Sequence, residues 1–174
     1  SLWHEEYLNN GLDAIISNTS GCGTTLKDYG FIFRADNDFK KKAKKISELT
    51  KDITEYLDDN VKLNFIKNND NKKSYKIAYH SPCSMQHGQK VHNIPINLIK
   101  KTGNQVLDIP NGHLCCGSAG TYNLLQVDIA QRLLENKVSN IEKLKPEFVT
   151  TGNIGCISQI ASGTKIPILH TVEI

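Results

Sequence analysis

The chain has 174 residues, a net charge of +3 and a hydrophobic content of 39%. This is enough for one domain with a buried core, or for one domain and part of another. The charge is too small to indicate nucleic-acid binding, and no run approaches the roughly 18 apolar residues of a membrane-spanning helix. The first ten residues do not resemble a signal peptide. Because the sequence starts at Ser1, we expect a fragment or a processed product.

The beginning of the chain predicts one strand between two helical segments. Residues 1–10 predict the end of an amphipathic helix, and residues 13–17 predict a short strand. A turn of small residues follows over 18–23, and residues 24–29 have the composition to start a second helix. Cys22 is therefore predicted to lie in a turn directly after a strand.

A long helix is the next predicted element. Apolar residues recur from Phe39 to Leu57 at alternating intervals of four and three, which predicts a single helix with Asp36 or Asp38 as its N-cap. The lysines near its start are typical of a solvated face, although an anionic partner would also fit them. Residues 58–74 are rich in Asn, Asp and Lys and predict a solvent-exposed connection.

The second half of the chain alternates strands with helices. The predicted strands are 75–79, 105–109, 148–151 and 166–170, and the predicted helices are 91–101, one that opens at the Cys115–Cys116 turn, and 127–144. This order predicts a parallel sheet with right-handed crossovers. Because sites collect at the carboxyl ends of parallel strands, we expect the cysteines that follow these strands to converge. They are Cys22, Cys83, Cys115, Cys116 and Cys156.

An internal repeat supports this convergence. Residues 13–22 align without gaps on residues 147–156, with an acidic residue, an apolar run, a small polar turn and Gly-Cys matching in both. We therefore expect a duplicated strand–loop–helix α/β fold with one truncated and one nearly complete copy. The predicted parts are 1–35 as the end of a first repeat, 36–74 as the amphipathic helix and connection, and 75–174 as the second repeat.

Cysteine thiolates carry the candidate chemistry. Their number is five, which excludes complete disulfide pairing within one chain, and no Cys-x-x-Cys motif is present. Thiolate sulfur is a soft ligand for iron–sulfur clusters and for zinc. The predicted ligands of an iron–sulfur cluster are Cys83, Cys115, Cys116 and Cys156, with Cys22 as a further candidate. A zinc site, buried thiols without a metal and a vicinal disulfide stay open as alternatives.

Glycines and histidines flank these cysteines. Backbone N–H groups from Gly117 to Gly120, at a predicted helix start, would stabilise an anionic cluster. Gly155 would allow the backbone to approach the cluster closely. His80 and His113 are candidates to bind the metal, to tune its potential through hydrogen bonds or to accept protons beside it. Histidines that are satisfied within ordinary loops are the alternative.

The longer strings around the cysteines resemble a known family. The pattern Cys83-x31-Cys115-Cys116-Gly117-x38-Cys156 resembles the cysteine-rich CCG domain of heterodisulfide reductase B-type subunits and their relatives. Five longer segments look like the iron–sulfur subunit of glycolate oxidase: 20–30, 80–90, 113–125, 151–156 and 170–173. The first of these, 20–30, fits the end of that family's first CCG repeat.

The resemblance implies an electron-transfer subunit. In that family a flavoprotein partner, which carries FAD, oxidises glycolate to glyoxylate, and the iron–sulfur subunit passes electrons toward the membrane quinone pool. It implies a 4Fe–4S cluster, flavoprotein dehydrogenase subunits and a quinone or membrane acceptor as partners, and no nucleic acid. It also implies a cytoplasmic location, at the inner membrane only through the complex. The chain would be a C-terminal fragment without the family's ferredoxin-type motifs, and we do not expect it to be catalytic by itself.

One departure from the pattern concerns a fifth thiolate. Heterodisulfide reductase members close each motif with Cys-x-x-Cys and bind a noncubane cluster, whereas Gln159 and Thr25 stand three residues after Cys156 and Cys22. We therefore expect an ordinary four-iron cluster, or one that is incompletely bound. Subunits for lactate or glycerol 3-phosphate oxidation, a heterodisulfide-reductase-like complex and a zinc-stabilised interaction module without redox function stay open as alternatives.

Overall fold

Two parallel sheets organise the chain. The structure is a computed structural model, and it describes residues 1–60 and 73–174. The strands are Ile15–Ser17 (β1), Thr50–Asp52 (β2), Lys76–Tyr79 (β3), Gln105–Leu107 (β4), Phe148–Thr151 (β5) and Ile168–His170 (β6). β1 pairs with β2, and the other four strands form a second sheet in the order β4-β3-β5-β6. Each of these pairings is parallel, so the predicted α/β fold is confirmed.

Helices connect these strands. They are Leu2–Asn10 (α1), Ser20–Lys27 (α2), Tyr29–Ile32 (α3), Lys40–Leu49 (α4), Ile53–Asn60 (α5), Asn93–Lys101 (α6), Tyr122–Leu125 (α7), Val127–Glu142 (α8) and Ile154–Ala161 (α9). A π-helical turn, Ser84–Gln89, follows β3, and a 3-10 turn, Thr171–Glu173, follows β6. Within the described parts of the chain, no helix has both the length and the apolar character needed to cross a bilayer.

Buried residues lie on both faces of the larger sheet. Side chains alternate along β3, so Ala78 belongs to one buried cluster while Ile77 and Tyr79 belong to another. The first cluster packs the sheet against the apolar stripe of α8, as the 3.6-residue period predicts. Its other buried members are Ile109, Cys116, Leu134, Val138, Ile141, Val149, Cys156 and Ile160. Two of the predicted ligands are thus anchored in the core.

The single long helix predicted from Phe39 to Leu57 is wrong. The chain leaves the helix after Leu49 and forms β2 before α5 begins. The apolar spacing continues across this break, but Thr50 and Asp52 are buried in the parallel ladder with β1. Pairing with a distant strand therefore overrides the local helical pattern.

A side-chain cap makes this break possible. The carboxylate Oδ1 of Asp52 accepts hydrogen bonds from the Thr54 N–H at 2.9 Å and from the Thr54 hydroxyl at 2.6 Å, directly at the start of α5. At the start of α4, Phe39 is the N-cap residue, so the predicted N-cap is wrong. Asp36 nevertheless stabilises the preceding turn, because its Oδ1 accepts from the Asp38 and Phe39 N–H groups.

Several other boundaries differ from the predictions. The turn predicted over 18–23 is already helical from Ser20, and the helix predicted at Cys115–Cys116 begins only at Tyr122. The predicted strands 105–109 and 166–170 are shorter than expected, because only the first three residues of the former and the last three of the latter pair with a neighbouring strand. Of the predicted connection 58–74, its first three residues belong to α5, and residues 61–72 lie outside the described residues.

The two aligned segments adopt the same local structure. Residues 13–22 contain β1 and the first turn of α2, and residues 147–156 contain β5 and the first turn of α9. Cys22 and Cys156 are each the third residue of their helix. The division of the chain at residues 35 and 74 stays a prediction.

Candidate metal centre

Four cysteines meet in one cavity at the edge of the larger sheet. Cys83 follows β3, Cys115 and Cys116 lie in the loop after β4, and Cys156 is in the first turn of α9, after β5. These strands are adjacent and parallel, so their carboxyl ends reach the same edge. All four side chains line a cavity of about 470 Å³. The structure thus brings the four residues together, and their role as ligands stays a prediction.

Cys22 does not join this group. It is exposed, and its neighbour Gly21 lines the cavity in its place. Cys22 and Cys156 hold the same third position in their helices, yet Cys156 is buried at the cavity while Cys22 lies on the exposed side of α2. The expectation that all the cysteines converge is therefore wrong for Cys22.

His80 is the buried histidine of the site. Its side chain is 1% exposed, and neither ring nitrogen has a hydrogen-bond partner among the residues that the structure describes. One ring nitrogen and the Sγ atoms of Cys116 and Cys156 all lie within 4.8 Å of one another. An unpartnered buried polar atom costs about 1–3 kcal/mol, so a group that takes up a ring nitrogen would remove this cost. His113, in contrast, is exposed and does not line the cavity.

The four thiols hold their protons unevenly. Hydrogen bonding with Cys116 and Cys83 lowers the pKa of Cys115 to about 2, and the Gly117 N–H also donates to Cys115 Sγ at 3.3 Å. Hydrogen bonding with Cys116 is the main cause that lowers the pKa of Cys156 to about 6. The same thiol contacts, together with burial, raise the pKa of Cys83 and of Cys116. Because thiolates are the metal-binding form, this group of sulfurs is suited to bind a cation and to release protons as it does so.

The loop after the cysteine pair is shaped by glycine. Gly117 has φ +96°, and a Cβ there would lie 2.4 Å from the carbonyl oxygen of Ala130 in α8. Gly120 also has a positive φ, of +65°, and lines the cavity. Since α7 begins at Tyr122, the N–H groups of residues 117–120 belong to a loop, and the predicted helix start at this point is wrong. Left-handed residues in such a loop still turn N–H groups toward one concave side, which suits an anion.

Gly155 has a different role. A Cβ at this position would lie 2.7 Å from Ser118 Oγ and 3.1 Å from Asn153 Oδ1. Ser118 belongs to the loop after the cysteine pair, and Asn153 precedes α9, so Gly155 allows these two parts of the site to pack against each other. Gly155 also lines the cavity, so its predicted close approach to a cluster stays a prediction.

Asn153 and Ser20 were not singled out from the sequence. Asn153 caps α9, where its Oδ1 accepts from the Gly155 N–H at 2.8 Å and the Cys156 N–H at 3.3 Å. Its amide donates to Ser20 Oγ at 2.9 Å, and Ser20 Oγ lies 2.6 Å from Ser84 Oγ. The first turn of α2 thus joins the loops that follow β3 and β5. An Asn directly before Ile-Gly-Cys is a recognisable N-cap signal, but nothing local marks Ser20.

The residues present fit a resident metal group. Thiolate donors line one cavity, a buried imidazole beside them lacks partners, and glycines let the loop backbone pack closely around the cavity. This fold and this site define an α/β cysteine-rich domain with a candidate metal centre at the carboxyl edge of its parallel sheet. Residues 77–161 match the model of the cysteine-rich domain family CCG.

Curated relatives agree with this assignment. The chain is 38% identical over 164 residues to the glycolate oxidase iron–sulfur subunit of Escherichia coli (strain K12), an alignment that covers 94% of this chain and 39% of that protein. It is 26% identical over 168 residues to lactate utilization protein A of Geobacillus sp. (strain WCH70), an alignment that covers 93% of this chain and 69% of that protein. The predicted resemblance to the CCG family and to glycolate oxidase iron–sulfur subunits is therefore confirmed.

A third relative extends the comparison. The probable glycolate oxidase iron–sulfur subunit of Bacillus subtilis (strain 168) is 26% identical over 154 residues, which is 87% of this chain and 34% of that protein. The chain therefore spans less than two fifths of the length of both glycolate oxidase subunits, and about 70% of the lactate utilization protein.

Proposed function

We propose that this chain is part of an iron–sulfur electron-transfer subunit of an oxidoreductase that acts on a 2-hydroxy acid, with glycolate as the favoured substrate. The observation that carries the proposal is the meeting of four cysteine side chains in one cavity beside a buried, unpartnered imidazole. The names of the relatives support the electron-transfer role and the substrate class.

Cys83, Cys115, Cys116 and Cys156 would hold a 4Fe–4S cluster. Such a cluster supplies one-electron transfer when it is bound. Among the chain's own groups, the Gly117 N–H stabilises negative charge on Cys115 through its hydrogen bond of 3.3 Å. Burial of Cys116 and Cys156 in the core keeps water away from one side of the cavity. The exposed residues Ala119, Gly120 and Ile154 form its rim.

His80 has a separate role in this proposal. Since the four thiolates are sufficient for the cluster, we assign His80 to hydrogen bonding and not to ligation. A ring N–H directed at the sulfurs of Cys116 and Cys156, whose Sγ atoms lie within 4.8 Å of a ring nitrogen, would stabilise their negative charge. This role also gives a partner to a nitrogen that otherwise has none.

Electrons would enter from a flavoprotein dehydrogenase subunit that carries FAD, and leave toward a quinone or another membrane acceptor. In this proposal the substrate is oxidised on the partner, so this chain contributes no catalytic residue. We further propose a cytoplasmic location, with contact to the membrane only through the complex.

A zinc site is the second candidate. The observation that favours it is the spacing of His80, Cys116 and Cys156, whose donor atoms lie within 4.8 Å of one another. Ligand atoms around one zinc ion sit about 2.0–2.3 Å from it, so three such atoms fit a single ion. In that case the chain would be a zinc-stabilised interaction module without redox function.

Metal analysis separates the two candidates. The complete protein that contains this chain is purified without oxygen, and its iron, sulfide and zinc contents are measured together with its visible spectrum. A Cys116→Ser variant, compared with a Cys22→Ser control, assigns any bound metal to this site. Iron and sulfide that depend on Cys116, with a visible band that bleaches on reduction, support the proposal. A colourless protein with one zinc ion at this site would refute it in favour of the second candidate.

The substrate is tested in the assembled complex. Glycolate, lactate and glycerol 3-phosphate are added in turn to the complex under anaerobic conditions, and bleaching of the visible band is followed. Reduction that is fastest with glycolate supports the favoured substrate. Faster reduction with lactate would reassign the subunit to lactate oxidation.

A further inference from the structure

Lys137 is a buried lysine that has no role in the metal centre as proposed above. It lies in α8 and is only 2% exposed, although lysine is almost never buried to this degree without a partner. Its Nζ donates to the carbonyl oxygen of Gly112 at 3.0 Å and is 3.4 Å from that of Asn111. Among the described residues, no carboxylate forms an ion pair with Lys137.

The cysteines of the cavity influence the pKa of Lys137. Burial lowers the pKa of Lys137, and four cysteines act on it in the opposite direction. They are Cys116, Cys83, Cys115 and Cys156, the set that lines the cavity. An ammonium group inside a protein is screened less than one at the surface, so its charge acts on these sulfurs more strongly than that of a surface lysine would.

Lys137 also holds the cysteine loop in place. α8 meets this loop at two points: Ala130, whose carbonyl oxygen lies against Gly117, and Lys137, which binds the carbonyls of residues 111 and 112. Ala130 and Lys137 are seven residues apart, so they lie two turns apart on the same face of the helix. The two contacts bracket the Cys115–Cys116 pair in the sequence.

We propose that Lys137 is a positioning residue of the metal centre, whose ammonium group anchors the cysteine loop and offsets the negative charge of the four thiolates. The inference rests on the proposed function, since it concerns the group that these thiolates hold. A fixed positive charge favours the more negative, reduced form of a cluster, so Lys137 raises its reduction potential.

The test compares variants of the complete protein. Lys137→Met removes the charge, Lys137→Gln removes it but keeps a side chain that can donate to the loop carbonyls, and Lys137→Arg keeps the charge. Lys143→Met is the matched control, because Lys143 is an exposed lysine that directly follows α8. Each protein is loaded anaerobically, its iron content is measured, and its midpoint potential is determined by a spectroscopic redox titration.

We expect Lys137→Gln to lower the equilibrium constant for one-electron reduction at least tenfold, which corresponds to about 59 mV. Lys137→Met should shift it in the same direction and also lose iron, whereas Lys137→Arg and Lys143→Met should change it less than threefold. A Lys137→Gln protein with full iron content and the potential of the wild type would overturn the inference. If Lys137→Met does not fold, Lys137→Gln still decides the matter.

The outcome for the proposed function is read separately. A wild-type protein that holds zinc and no iron refutes the proposed function, whatever the variants do. In that case zinc affinity replaces the redox potential as the readout for Lys137. Weaker zinc binding by Lys137→Gln than by Lys143→Met would support the role of Lys137, and equal binding would overturn it.

Discussion

The contact between Gly117 and α8 makes a sharp prediction about stability. In Gly117→Ala the new Cβ would lie 2.4 Å from the carbonyl oxygen of Ala130, a separation that real Cβ atoms essentially never show. This oxygen belongs to helix backbone, so it cannot move aside as the end of a flexible side chain would. Overpacking of this kind costs about 1–3 kcal/mol. The positive φ of +96° adds the left-handed cost of a non-glycine residue, about 1–2 kcal/mol.

The expected loss for Gly117→Ala is therefore about 2–5 kcal/mol of unfolding free energy. Gly120→Ala is the matched control, since Gly120 also has a positive φ, of +65°, but a Cβ there meets nothing within 4 Å. That variant should lose only the backbone contribution, about 1–2 kcal/mol. Urea unfolding of the complete protein, followed by circular dichroism, gives both free-energy losses. The comparison holds when the slope of the unfolding free energy against urea concentration is the same in the variants and in the wild type.

The comparison of the two variants isolates the close approach. If Gly117→Ala and Gly120→Ala lose the same free energy, the contact with Ala130 is not rigid, and the account of why glycine follows the cysteine pair is wrong. Because Gly117 adjoins Cys116 and donates to Cys115 Sγ, we also expect Gly117→Ala to lower the metal content.

The other predictions concern the metal-binding side chains. Cys83→Ser should lose most of the iron, whereas Cys22→Ser, at an exposed position outside the cavity, should retain the wild-type amount; equal losses in the two variants would contradict the site. His80→Leu removes two buried nitrogens that lack partners among the described residues, so the free energy of unfolding of the metal-free protein should rise by about 1–3 kcal/mol. In the metal-loaded protein, the same variant should change the metal content or the reduction potential. A metal-free variant that is less stable than the wild type would show that His80 has partners within the protein. Cys83 and Cys116 have raised pKa values and must lose protons to bind a metal, so zinc affinity measured by competition should rise with pH. An affinity that is independent of pH would mean that these thiols do not bind.

The four-cysteine site could be predicted because the positions of its cysteines relative to the strands can be read from the order of residues along the chain. Each cysteine follows an apolar run, and parallel strands place such positions at one edge of the sheet. Cys22 obeys the same rule and still lies outside the site. It even holds the same position in its helix as Cys156 does, but α2 is placed so that Gly21 and not Cys22 lines the cavity. The periodicity of a sequence does not give the rotation of a helix against its neighbours.

The segment around Thr50 shows the same limit for secondary structure. Its spacing of apolar residues is helical from Phe39 to Leu57, and this spacing by itself does not mark the interruption. Thr50–Asp52 forms a strand because β1, more than thirty residues earlier, offers it a parallel partner. Interactions between distant parts of the chain are absent from any local window.

The sequence by itself determined the α/β class, the family of residues 77–161 and the four cysteines of the site. These features depend on periodicity and on residue order, which a linear chain records directly. Only the tertiary structure decided that His80 is buried without partners while His113 is exposed. It also decided that Lys137, which reads as one more charge on a helix, lies inside the protein and binds carbonyls of the loop that leads to the cysteine pair. Burial and electrostatic environment arise from the packing of several elements at once, so they exist only in the folded chain.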